Sequence, residues 1–159
     1  MERPSVYVET TIASYYHTSR TSPHMIAERE ITRAWWAHAR VRCELLTGVV
    51  VLDELEAGPG PETVLRLKLL AGLPVLGRTP EVDETVEYLI GHRAMPAFPS
   101  LDAVHLALAM HHGCEVLVTW DRKHLANPNK AAHLMRIAEP LGLRVPLVVT
   151  PREHLETFR

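Results

Sequence analysis

The sequence predicts an α/β protein in three α/β/α layers, with a central, mainly parallel sheet covered by helices on both faces. Two observations carry the prediction. Short apolar runs of strand length alternate along the chain with helical stretches of 10 to 20 residues. The 159 residues also contain no internal repeat, low-complexity tract or linker, which makes one domain spanning 1–159 the expected organisation.

The elements follow in order. "SVYVET" is a short buried strand with Tyr7 between valines and Glu9 at its end. Thr10 to His17 suits a helix, which "HTSRTSPH" breaks. From Met25 to Cys43, the spacing of Ile31, Ala34, Trp35, His38 and Val41 or Arg42 predicts a long amphipathic helix with that face inward. A strand into Thr47 and a helix ending at Gly58 divide "ELLTGVVVLDELEAG". "PETVLRLKLLAG" is a helix with Pro61 near its first turn and Gly72 as its stop; "LPVLG" is a short strand. Thr79 caps a helix with Pro80 at its first position, and Ser100 is the expected cap of the very apolar "LDAVHLALAMHHG", stopped at Gly113. "EVLVT" is a strand, Asn127 and Pro128 open a helix, and "VPLVVTPREHLE" closes as a strand and a short helix.

Composition removes several function classes. No apolar stretch approaches the roughly 20 residues of a membrane span, so no membrane association is expected. The start lacks a basic segment followed by an apolar one, and Cys43 and Cys114 form neither a metal-ligand nor a redox spacing; a reduced, cytoplasmic protein is expected. The formal charge of −2 gives no general electrostatic case for nucleic acid, although the cations are fourteen Arg against three Lys. The ten histidines show no HExxH or Cys/His finger spacing, "GPGP" lacks the Lys-Ser/Thr of a phosphate loop, and no Gly-x-Ser-x-Gly occurs. His111 and His112 read as surface residues, and at least one of Trp35 and Trp36 as core or dimer contact.

Four acids stand out. Glu9 closes the first strand, and Asp121 lies just past "VLVT", immediately after Trp120. Sites in open parallel sheets form outside the carboxyl ends of strands. Asp102 and His105, three residues apart, are the polar residues that interrupt an otherwise apolar helix. Glu54 sits in "LDELEAG" beside Asp53, either of which could be the second acid. Each has a plain alternative: Glu9 and Asp121 as caps, Asp102 as an answer to the helix dipole with His105 hydrogen-bonded in the core, Glu54 on a solvated face. Gathered at one edge without matching arginines, however, such carboxylates repel, and the arrangement makes sense with a hard divalent cation.

The order "VYVETT", "LDELEAG", "SLDAVHLALA" and "VLVTWDRKHLAN" resembles the PIN-domain family of VapC-like toxin ribonucleases, from about Val6 to Pro151. The resemblance implies a PIN-like fold and metal-binding, catalytic acids at Glu9, Glu54, Asp102 and Asp121, with Thr10 or Thr11 as the polar residue after the first acid and His105 and Asn127 as supporting or substrate residues. It implies RNA phosphodiester hydrolysis by a water activated by Mg²⁺ or Mn²⁺, a small antitoxin partner and a homodimer. The first acid of the family is usually Asp, and Glu9 is one methylene longer. A PIN-like module that only binds RNA or protein is the rival reading. An aspartyl-phosphate enzyme is a weaker one, since the first strand ends in Glu9 and no Asp-x-Asp pair occurs.

Overall fold

Val6, Tyr7 and Val8 expose no surface, because their strand runs through the middle of the sheet and is covered on both faces. The computed structural model describes residues 2–97 and 100–159. In chain order the elements are β1 (Ser5–Val8), α1 (Thr10–Tyr16), α2 (Pro23–Arg42), β2 (Glu44–Gly48), α3 (Val49–Ala57), α4 (Glu62–Leu70) and β3 (Val75–Leu76). Then come α5 (Pro80–Gly91), α6 (Leu101–His111), β4 (Val116–Val118), α7 (Pro128–Ala138), a 3₁₀ turn (Glu139–Leu141), β5 (Leu147–Val149) and α8 (Pro151–Glu156). The strands lie in the order β3-β2-β1-β4-β5, and every pairing is parallel. Helices flank the sheet to give the three-layer α/β/α arrangement. No helix among the described residues is long and apolar enough to cross a membrane.

Crossovers run from β1 to β2 on one side and from β1's other neighbour, β4, outward to β5. The order therefore reverses direction between β1 and β4, whose register sets Val6 against Val116 and Val8 against Val118. Such a reversal splays the following loops apart and opens a crevice above the carboxyl ends of the strands.

Local chemistry explains most helix starts. Ser22, Thr79, Asn127 and Thr150 each have extended backbone, accept a helix N–H on the side chain, and are followed by proline at the start of the helix. Ser100 departs from expectation: its backbone is already helical (φ −77°, ψ −6°), so its hydroxyl makes no capping bond. Gly113 ends α6 at φ +63°, a left-handed turn that suits glycine.

The inward face of α2 also departs from the predicted one. Ala34, His38 and Val41 are exposed, and the buried residues are Met25, Glu28, Thr32, Trp35, Trp36 and Ala39. Two polar residues occupy the core face because each is bonded there: Thr32 donates to the Glu28 carbonyl at 2.6 Å, and the Glu28 carboxylate meets His24 and Arg122. Trp35 donates to His154 of α8 at 2.9 Å. His112 is exposed as expected, whereas His111 is half-buried, its Nε2 2.7 Å from the Thr85 hydroxyl.

Gly48, at the junction of β2 and α3, makes room for Tyr7. A Cβ there would lie 2.4 Å from the Tyr7 hydroxyl and 2.8 Å from Leu108 Cδ1. Tyr7 is fully buried and hydrogen-bonded, so it has nowhere to retreat. Gly48→Ala is therefore expected to cost about 1–3 kcal/mol as an overpacked core substitution. Urea unfolding checks this: a midpoint equal to that of the wild type would show that Tyr7 yields freely.

Candidate active site at the carboxyl edge of the sheet

Glu9 directly follows β1 and is almost wholly buried, at 4% exposure. Its Oε1 accepts from the Thr11 amide (2.9 Å), the Thr11 hydroxyl (2.5 Å) and the Thr119 hydroxyl (2.7 Å). It thus caps α1, as the plain reading had it, while Oε2 has no hydrogen-bond donor among the described residues and lies 4.0 Å from His105 Nε2. Glu54, on α3, turns inward and Asp53 outward. Its Oε1 is 2.7 Å from His105 Nε2 and accepts from the Thr10 hydroxyl at 2.9 Å.

His105 is buried in α6 and engaged at both nitrogens, with Nδ1 2.9 Å from the Tyr7 hydroxyl. A carboxylate can only accept, so Nε2 carries a proton toward Glu54, and in the neutral ring the Tyr7 hydroxyl donates to Nδ1. Burial alone would lower the imidazole pKa, but the bond to Glu54 and the charges of Glu9, Glu54 and Asp102 hold it above its ordinary value. Burial likewise raises Glu54, and its bond and charge pairing with His105, together with the Thr10 bond, more than reverse that.

Asp102 contrasts with both glutamates. It is half-buried in the first turn of α6, and no hydrogen-bond donor reaches its carboxylate among the described residues. Burial and then the nearby charge of Asp121 push its pKa from 3.8 to about 6; His105 and His124 act against the rise, and Glu9 adds to it. Asp121 is itself a turn-former: its Oδ1 accepts from the Lys123 and His124 amides at 3.0 and 3.1 Å, and its own amide donates to Thr119. Asn127 caps α7 through Asn129 and donates to the Lys123 carbonyl. It also borders a cavity of about 490 Å³ between α7 and β5 that none of the four acids lines.

Glu9, Glu54 and His105 are thus directly linked or adjacent, and Asp102 feels the charges of Glu9 and Asp121. Even so, no three His, Cys, Asp or Glu side chains among the described residues converge tightly enough to hold an ion as they stand. As the sequence reading had it, no arginine pairs with the four acids among the described residues: Arg122, beside Asp121, is bonded to buried Glu28 instead. Sequence reasoning missed Tyr7, Glu28, Thr119 and Arg122. A tyrosine hydroxyl in a fully apolar strand was the available signal for the first.

The sequence matches the PIN domain over residues 6–130. The chain belongs to the PIN-domain family. Comparison with curated protein sequences gave no match. Among solved structures, VapBC2 from Rickettsia felis, described as bound to a DNA fragment from its promoter, superposes with a TM-score of 0.55 at 12% identity, covering 92% of this chain and 98% of that one. VapC20 from Mycobacterium tuberculosis, described as a toxin cleaving the sarcin-ricin loop, gives a TM-score of 0.57 at 16% identity, covering 75% and 92%. At these identities the likeness is one of fold. In this PIN domain, the edge that the fold opens between β1 and β4 is the edge that carries Glu9 and Asp121.

Asp102 yields a pH prediction. A folded carboxyl pKa above the unfolded value favours the protonated form, so its contribution to stability is present at low pH and lost as pH rises from about 4 through about 6. Asp102→Asn should therefore stabilise the metal-free protein above neutrality by about 1–2 kcal/mol, after allowance for solvent, or roughly 2–8 °C in Tm. The gain should vanish below about pH 4. Thermal melts in EDTA across that range test it, and a gain independent of pH would contradict the assignment.

Proposed function

We propose that this chain is a Mg²⁺- or Mn²⁺-dependent endoribonuclease, the toxin of a toxin–antitoxin pair. The observation that carries the reading is Asp102: a half-buried carboxylate without a donor, raised to about 6 by burial and by Asp121, at the switch point of a PIN fold. The donor set fits a hard cation. Glu9 and Glu54 each use Oε1 for protein hydrogen bonds and keep Oε2 without a donor among the described residues, and Asp102 has both oxygens to give. Mg²⁺ and Mn²⁺ accept one or two carboxylates and keep waters, so a set that does not close by itself remains suitable.

Asp102 and Asp121 would hold the ion, with Glu9 and Glu54 supporting it through their free oxygens. A divalent ion supplies Lewis acidity, making water more acidic and offsetting charge on the phosphodiester. His105 holds Glu54 in a fixed rotamer, and Thr11 and Thr119 do the same for Glu9, so the acids need not reorganise as charge develops. The recessed edge suits single-stranded or looped RNA. A small antitoxin and a homodimer are proposed partners, in keeping with the fold shared with VapBC2.

The rival, a PIN domain that binds without cleaving, draws on the capping bonds of Glu9 and Asp121. One experiment separates the two. Purified protein should cleave single-stranded RNA with Mn²⁺ or Mg²⁺ and stop in EDTA, and Asp102→Asn should lower kcat at least a hundredfold without lowering Tm. Equal cleavage in EDTA would refute the metal mechanism; no cleavage and no Mn²⁺-induced rise in Tm would favour the binding module.

A further inference from the structure

Glu28 has no part in the acidic edge, yet it is a buried carboxylate at the core face of α2. Its partners are His24 Nε2 at 2.6 Å and Arg122 Nη2, 3.3 and 3.2 Å from its two oxygens. Arg122 is 51% exposed in its side chain. Only one of its three nitrogens is engaged; Nε and Nη1 have no acceptor among the described residues. Its guanidinium lies 5.0 Å from the centre of the Trp120 ring. That ring is anchored through Nε1 to the Thr32 hydroxyl and stacks on Tyr15 at 5.6 Å and 10°. The arginine is thus held from two sides, next in sequence to Asp121, with donors to spare.

An acidic edge repels an approaching polyanion, so a strand of RNA needs a fixed cation close by. A surface lysine would lose rotamer freedom on binding; this arginine is already oriented by Glu28 and Trp120.

We infer that Arg122, seated by Glu28 and Trp120, takes a backbone phosphate of single-stranded RNA flanking the one presented to Glu9, Asp102 and Asp121. This rests on the ribonuclease reading and names the contact that brings substrate to the site. Arg122 acts on binding, so its loss raises KM and leaves kcat nearly untouched.

The test is fluorescence anisotropy with a short labelled oligouridylate in EDTA, between roughly 50 and 200 mM salt. Arg122→Ala should make the slope of log affinity against log salt shallower by about 0.7, the value of one phosphate on a single strand, and Arg122→Lys should restore it. Turnover with Mn²⁺ should show a KM rise of about tenfold in Arg122→Ala, with kcat within about twofold. Because that variant leaves buried Glu28 with His24 as its one remaining partner, the double variant Glu28→Gln with Arg122→Ala is measured alongside, and the same change in slope is expected. An unaltered slope and KM in either folded variant would overturn the contact while leaving the ribonuclease reading intact. Failure of the wild type both to bind RNA at low salt and to cleave it with Mn²⁺ would overturn both.

Discussion

His105 is bonded at both ring nitrogens, and the acidic edge is organised around that fact. One nitrogen faces the Tyr7 hydroxyl inside the sheet and the other faces Glu54 at its rim. An imidazole in this position cannot turn without leaving a buried polar atom unpaired, at a cost of about 1–3 kcal/mol. Three elements distant in sequence, β1, α3 and α6, are thereby held in one relative placement. Glycine at position 48 is the steric condition for it, since any side chain there would strike the tyrosine.

Around this hub the acids divide into two kinds. Glu9 and Glu54 are saturated on one oxygen by hydroxyls, an amide or the imidazole. Asp102 has no such support and carries the cost of its burial as a raised pKa. The protein thus settles most of the carboxylates by hydrogen bonding and leaves one frustrated. A frustrated carboxylate beside ordered ones is the arrangement expected where an added positive charge completes the balance.

Much of this was readable in advance where chemistry is local. Strand ends, glycine stops and the Thr79–Pro80 and Asn127–Pro128 starts depend on a few neighbouring residues, and they emerge as expected. So does the family, carried by "LDAVHLALA" and "LVTWDRKHLAN". The face of α2 was misread because periodicity counts apolar residues, whereas Glu28 and Thr32 enter the core by virtue of partners some 90 positions away in sequence. Tyr7 was hidden for the same reason: its hydroxyl acquires meaning only when β1 meets α6. Asp53 and Glu54 were not separable by spacing, and the register of α3 separates them.

The central position of β1 bears on how the protein comes into being during synthesis. One neighbour of β1, strand β2, follows within some 40 residues, but the other, β4, is about 110 residues downstream. Non-local pairing of this kind is slow, because loop-closure entropy must be overcome first. Thr119, which holds Glu9, and Asp121, whose charge adds to the effect of burial on the Asp102 pKa, lie just beyond that late strand. A growing chain on the ribosome therefore carries β1, Glu9 and the helices up to α6 well before the edge that unites them exists. Until the residues after β4 have been made, Glu9 lacks the Thr119 hydroxyl and Asp102 lacks the neighbouring charge of Asp121.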